Sequence, residues 1–149
     1  MRTPANIAGH PIHPMLVTIP IGLWVFSFIC DLFFVFGGGA PAWSTVALYD
    51  MAAGIIGALL AAIFGFIDLL SLPPAPRKTA LVHMSINLVI VVLYIINFWQ
   101  RLGTPQNPDG WVWLSLATIL MLLVSGWLGG RMVYVLGIAV TPAPIPQDS

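Results

Sequence analysis

The residues best suited to chemistry open the chain: Gly9-His10-Pro11-Ile12-His13-Pro14. Two imidazoles three positions apart point the same way when the turn between them is tight, and flanking prolines hold such a turn rigid. Rigid imidazoles suit a metal ion or a haem iron, and they suit equally a turn that anchors a helix at the membrane surface. A third histidine, His83, sits farther along with Asn87 one helical turn beyond it. Asp68 and Arg131 lie in apolar surroundings, where a charge normally faces a bundle interior and a partner. His10, His13, His83 and Asp68 make a candidate ligand set for zinc, iron or copper. For haem b, His83 with His10 or His13 would be axial, and Arg131 would face the propionates. A cofactor-free alternative is a hydrogen-bonded staple, with an Asp68–Arg131 ion pair as its simplest form. Asp31 stands apart, about 25 Å up the first helix at 1.5 Å per residue; its candidate partners are Asn97 and Arg101, or water near Asp50.

Four long apolar stretches must position these groups. Charged residues make up 7% of the 149 and apolar types 59%, and glutamate is absent. A water-soluble surface needs far more charge, about a quarter of all residues in a typical domain. The reading is an all-α integral membrane four-helix bundle, up-down-up-down, in a single domain spanning 1–149. Expected helices run about 15–36, 46–70, 79–99 and 111–136, each long enough to cross with some tilt. Pro11 and Pro14 are expected to forbid regular helix through His13, although Pro14 can sit in a helix's first turn, and residues 1–12 to form a polar arm. Pro20 and Gly22 are expected to bend the first helix near its start. Gly37-Gly38-Gly39 with Pro41, and Pro73, Pro74 and Pro76, are read as breaks. Gln100 to Gly110 is read as a polar loop, and the tail with Pro142, Pro144 and Pro146 as a flexible end. The first stretch is too long for the core of a signal peptide and is read as a retained helix.

Orientation follows the cations. Arg2, Arg77, Lys78 and Arg131 fall on one side of an alternating bundle and Arg101 on the other. The excess of Lys and Arg on one side places both termini in the cytoplasm. Trp43, Trp99, Trp111 and Trp113 then form an outer interfacial belt, with Trp24 inside the bilayer. Small residues Gly54, Gly57, Ala58, Ala61, Ala62 and Gly65, and later Gly126, Gly129 and Gly130, mark faces for close packing in the bundle or a homodimer.

The single cysteine, Cys30, excludes an intramolecular disulfide and a CxxC motif. Net charge near zero without a basic run argues against nucleic acid. Ser27, Ser71 and Ser85 form no evident Ser–His–Asp arrangement, so a catalytic reading is poor. No inverted repeat or broken mid-membrane helix supports a small transporter, which stays a third reading.

The opening motif, followed by Ile19-Pro20-Ile21-Gly22 and Asp31, resembles a bacterial family of predicted four-helix inner-membrane proteins, domain of unknown function 2231. The likeness continues through Gly65-Phe66-Ile67-Asp68, His83 with Asn87, and Gly126-Trp127-Leu128-Gly129-Gly130-Arg131-Met132-Val133-Tyr134. It covers residues 7–140. The chain departs from the family pattern at Arg131, where that pattern is acidic, and this weakens any metal site needing a carboxylate there. The resemblance implies an inner-membrane protein, with haem or redox association suspected in some relatives, and implies no reaction. Two expectations follow. One is a haem b or metal-binding electron-transfer component exchanging electrons with quinone or a redox partner protein. The other is a structural or accessory subunit without a cofactor.

Overall fold

The computed structural model describes residues 1–103 and 111–140. Residues 104–110 of the stretch read as a polar loop, and the tail with Pro142, Pro144 and Pro146, lie outside the described residues. The elements are β1 (Asn6–Ile7), β2 (His10–Pro11), α1 (Ile12–Leu16), α2 (Thr18–Phe36), α3 (Pro41–Leu70), α4 (Pro74–Gly103) and α5 (Trp111–Tyr134). With α1 and α2 forming one span, four segments are long and apolar enough to cross a membrane: Ile12–Phe36, Pro41–Leu70, Pro74–Gly103 and Trp111–Tyr134. Helix α2 packs on α3, α3 on α4, α4 on α5 and α5 back on α2, which closes the bundle in chain order.

Helix α4 runs on through Gln100 and Arg101 to Gly103, residues expected in a polar loop, because Arg101 is drawn into the bundle by Asp31; prolines account for the earlier helix starts. Pro41 and Pro74 begin α3 and α4 rather than standing outside them. Proline is at home in a first turn, where its missing N–H has no helical acceptor and its φ already suits the helix. Pro14 likewise occupies the first turn of α1, so His13 is helical after all. Pro20 is different. It lacks the N–H that Leu16 would accept, and the ladder resets at Val17 between α1 and α2.

The arm is more than polar slack. β1 and β2 pair antiparallel, Asn6 opposite Pro11 and Ile7 opposite His10. Ala8 (φ 51°) and Gly9 (φ 83°) make the turn, a two-residue left-handed geometry that closes hairpins. Thr3 and Ala5 are buried. The Met1 ammonium donates to the Gly137 and Val140 carbonyls, both at 2.7 Å. The arm therefore caps the end of the bundle that also carries the α3–α4 turn and the residues after α5. We call this the arm end, and the opposite one the far end.

Little apolar drive exists between helices in lipid, so close contact and hydrogen bonds hold them. The α3 face of Gly54, Gly57, Ala61 and Gly65 lies against α1 and α2. A Cβ on Gly54 would collide with Nε1 of Trp24, and one on Gly65 would stand 2.8 Å from Nδ1 of His13. Ala62 is exposed and does not join that face. At mid-height Trp24 stacks on Tyr94, ring centroids 4.0 Å apart and 9° from parallel. Met51, Ile90 and Val91 complete this buried layer. On α5, only Gly129 meets a neighbour, His83, whereas a Cβ at Gly126 or Gly130 would enter open space.

Candidate functional site

Two polar clusters flank the apolar layer. At the arm end, His13 on α1 and His83 on α4 approach edge to face, ring centroids 6.5 Å apart and planes at 89°. Nδ1 of His13 lies 2.8 Å from the Ala61 carbonyl on α3. Nδ1 of His83 lies 3.1 Å from the Ser125 carbonyl on α5. A carbonyl only accepts, so each Nδ1 carries a proton, and in the neutral ring it is Nε2 that presents the lone pair. Gly65 and Gly129 leave the room into which the two rings fit.

Asn87 completes this cluster. Its amide nitrogen lies 2.7 Å from Ser125 Oγ, 2.8 Å from the His83 carbonyl and 3.1 Å from Nε2 of His83. Two N–H protons are thus shared among three acceptors. Asn87 thus both contacts His83 and bridges α4 to α5, and His83 is held through both ring nitrogens.

The remaining arm-end groups do not join. His10 is exposed on the hairpin, with Nδ1 3.2 Å from the Ala8 carbonyl. Asp68 is buried but accepts the Ala5 backbone N–H at 2.9 Å on Oδ1. Arg131 is exposed, its guanidinium carbon 5.9 Å from the Trp127 ring centroid. The expected Asp68–Arg131 pair is therefore replaced: the arm supplies the donor to Asp68, and Arg131 turns along its own helix. Nor do His10, His13, His83 and Asp68 gather as a ligand set. Among the described residues, no group of three or more His, Cys, Asp or Glu is placed to hold a metal ion.

The far end holds a denser cluster. Arg101 meets Asp31 through two parallel bonds, Nη1 to Oδ1 at 2.7 Å and Nη2 to Oδ2 at 2.6 Å. Arg101 Nε donates to Asn97 Oδ1 at 3.0 Å. Ser115 Oγ donates to Asp31 Oδ2 at 3.0 Å, and Asn97 Nδ2 donates to Ser115 Oγ at 2.9 Å. The guanidinium also lies 4.1 Å from the centroid of the Trp111 ring. Asp31, Asn97 and Arg101 are at most 2% exposed, so this pair is sealed from solvent and lipid. Trp111 consequently belongs to the core and not to the interfacial belt; Trp99 and Trp113 are exposed as that belt requires.

The sequence named Arg101 only as one candidate partner for Asp31, and it missed Ser115 and Trp111. A signal was present. His83, Asn87, Tyr94, Asn97 and Arg101 fall at intervals of four, seven, three and four along α4, which is one helix face. Ser115, Thr118 and Ser125 repeat at three and seven along α5. Two facing polar stripes in apolar helices mark an interior seam.

Residues 9–142 match the family described as "Predicted membrane protein (DUF2231)". The chain belongs to this family. The match begins at Gly9 and takes in all four spans, so both polar clusters of this DUF2231 protein lie within it. No curated protein and no solved structure matches the chain. Family membership and four apolar helices together make it a multi-pass membrane protein.

Proposed function

We propose that this DUF2231 protein is a non-catalytic accessory subunit of the bacterial inner membrane, with both termini in the cytoplasm. One observation carries the reading: Asp31, Arg101, His13 and His83 are engaged in tying helices together. Asp31 and Arg101 neutralise each other inside the bundle, and His83 is bonded at both nitrogens. What such a protein offers its surroundings is a compact frame of fixed helix order. Orientation rests on the cations. Arg101 is consumed by Asp31, which removes the one cation that weighed against a cytoplasmic arm end.

A second reading keeps the histidines as ligands to haem b or a metal ion in electron transfer. Its support is that both Nδ1–H groups are fixed on backbone carbonyls, the arrangement that orients ligating imidazoles. Its requirement is that Nε2 of His83 be released from Asn87, and the described side chains supply no third protein ligand. Optical absorption and elemental analysis separate the readings. Protein made with ample iron and haem precursor is expected to show neither a Soret band nor stoichiometric metal. A Soret band or bound metal that disappears in His83→Ala would overturn the accessory reading.

A further inference from the structure

We propose that the arm end of α5 holds an acidic phospholipid, its phosphodiester on the guanidinium of Arg131 and its glycerol-ester region against Trp127. Both side chains are exposed and lie one turn apart on the same helix, with Trp127 at 65% exposure. Neither contributes to the buried core. The guanidinium is held over the indole ring at 5.9 Å, which leaves its N–H edges open for an anion. A planar fork of donors matches two phosphate oxygens, and tryptophan favours the level of the headgroups and ester groups.

Charge complementarity selects the lipid. Arg77 and Lys78 stand in the first turns of the adjacent helix α4, at the same end. The described carboxylate at this end, Asp68, is buried and bonded to the arm. The ion pair among the described residues is Asp31–Arg101, at the far end. Among the described residues, the arm end thus presents Arg77, Lys78 and Arg131 at a bilayer margin with no carboxylate set against them. An anionic headgroup meets them, whereas a zwitterionic headgroup brings its own ammonium towards Arg77 and Lys78. This inference does not depend on the accessory reading or on which leaflet the arm end occupies.

The test uses the full chain reconstituted in equal phosphatidylglycerol and phosphatidylcholine with matched acyl chains. It is then extracted into mild detergent, and retained lipid is measured by mass spectrometry. Phosphatidylglycerol is expected to be enriched. Arg131→Gln should reduce the enrichment about five-fold, the factor one interfacial cation contributes. Trp127→Leu, a change on an exposed face, should also lower it and serves if Arg131→Gln does not fold. Equal retention of the two lipids, or enrichment unchanged in the variants, overturns the proposal. Displacement of the lipid by free glycerol 3-phosphate overturns it too, since the site would then be one for soluble phosphate. Retention of a co-purifying acidic protein in place of lipid, lost in Arg131→Gln, would reassign the surface to a protein partner.

Discussion

At the scale of single residues, burial decides what Asp31 and Arg101 do. An exposed ion pair contributes little, typically below about 1 kcal/mol. This one is sealed, bidentate and supported by Asn97 and Ser115. The gain from pairing offsets the large cost of taking both charges out of water, so the pair's net worth is modest while either partner alone is costly. Asp31→Leu is therefore expected to destabilise the bundle by about 3–5 kcal/mol, and the double variant Asp31→Leu/Arg101→Leu to recover most of that loss. Unfolding in mixed micelles measures both. A double variant as unstable as the single would mean that the network, and not charge compensation, holds α2 to α4. Residue types made these groups visible in the sequence; their pairing was only partly visible. Asp31 was open to several partners because sequence spacing gives height along a helix but not which neighbouring helix it faces. Asp68 and Arg131 share an end and still do not meet, since the backbone N–H of Ala5, which no side-chain inventory records, fills the carboxylate's place.

At the scale of elements, hydropathy located all four spans, and proline misled at their edges. Pro41 and Pro74 read as barriers, but each sits within a first turn where proline is favoured, as Pro14 does. The small-residue face of α3 was legible as a packing surface, yet its partners were not. Trp24 lies over Gly54, Ile19 and Pro20 over Gly57, and His13 over Gly65, and these contacts explain why the face is small. Glycine pairs that look alike in sequence should therefore respond differently. Gly54→Ala forces a Cβ into the Trp24 indole nitrogen. Overpacking of this kind costs about 1–3 kcal/mol and should weaken the Trp24–Tyr94 stack, read as lower stability and changed tryptophan emission. Gly126→Ala meets open space and replaces the weaker helix former, so it should be neutral or stabilising by up to about 1 kcal/mol. Equal losses at the two positions would mean that Gly126 packs against another molecule in the membrane.

At the scale of the whole molecule, alternation of the spans determines which groups can ever meet. It brings His13 and His83, separated by most of the chain's first half, to one end, and it carries Asp31 and Arg101 to the other. Between them the layer of Trp24, Met51, Ile90, Val91 and Tyr94 separates the two clusters. The arrangement has a direct test in sidedness. Cys30 is fully buried, so Cys30→Ser should provide a background without reactive thiol. On it, His10→Cys and Lys78→Cys, both at exposed positions of the arm end, should react with an impermeant maleimide from the same side of sealed vesicles. Trp113→Cys, at an exposed position near the start of α5, should react only from the opposite side. If the cations set orientation as proposed, positions 10 and 78 react in inverted vesicles and position 113 in intact spheroplasts. The reverse labelling would leave the fold intact and turn the molecule over. Labelling of 10 and 78 from different sides would break the alternation itself, and with it both polar clusters.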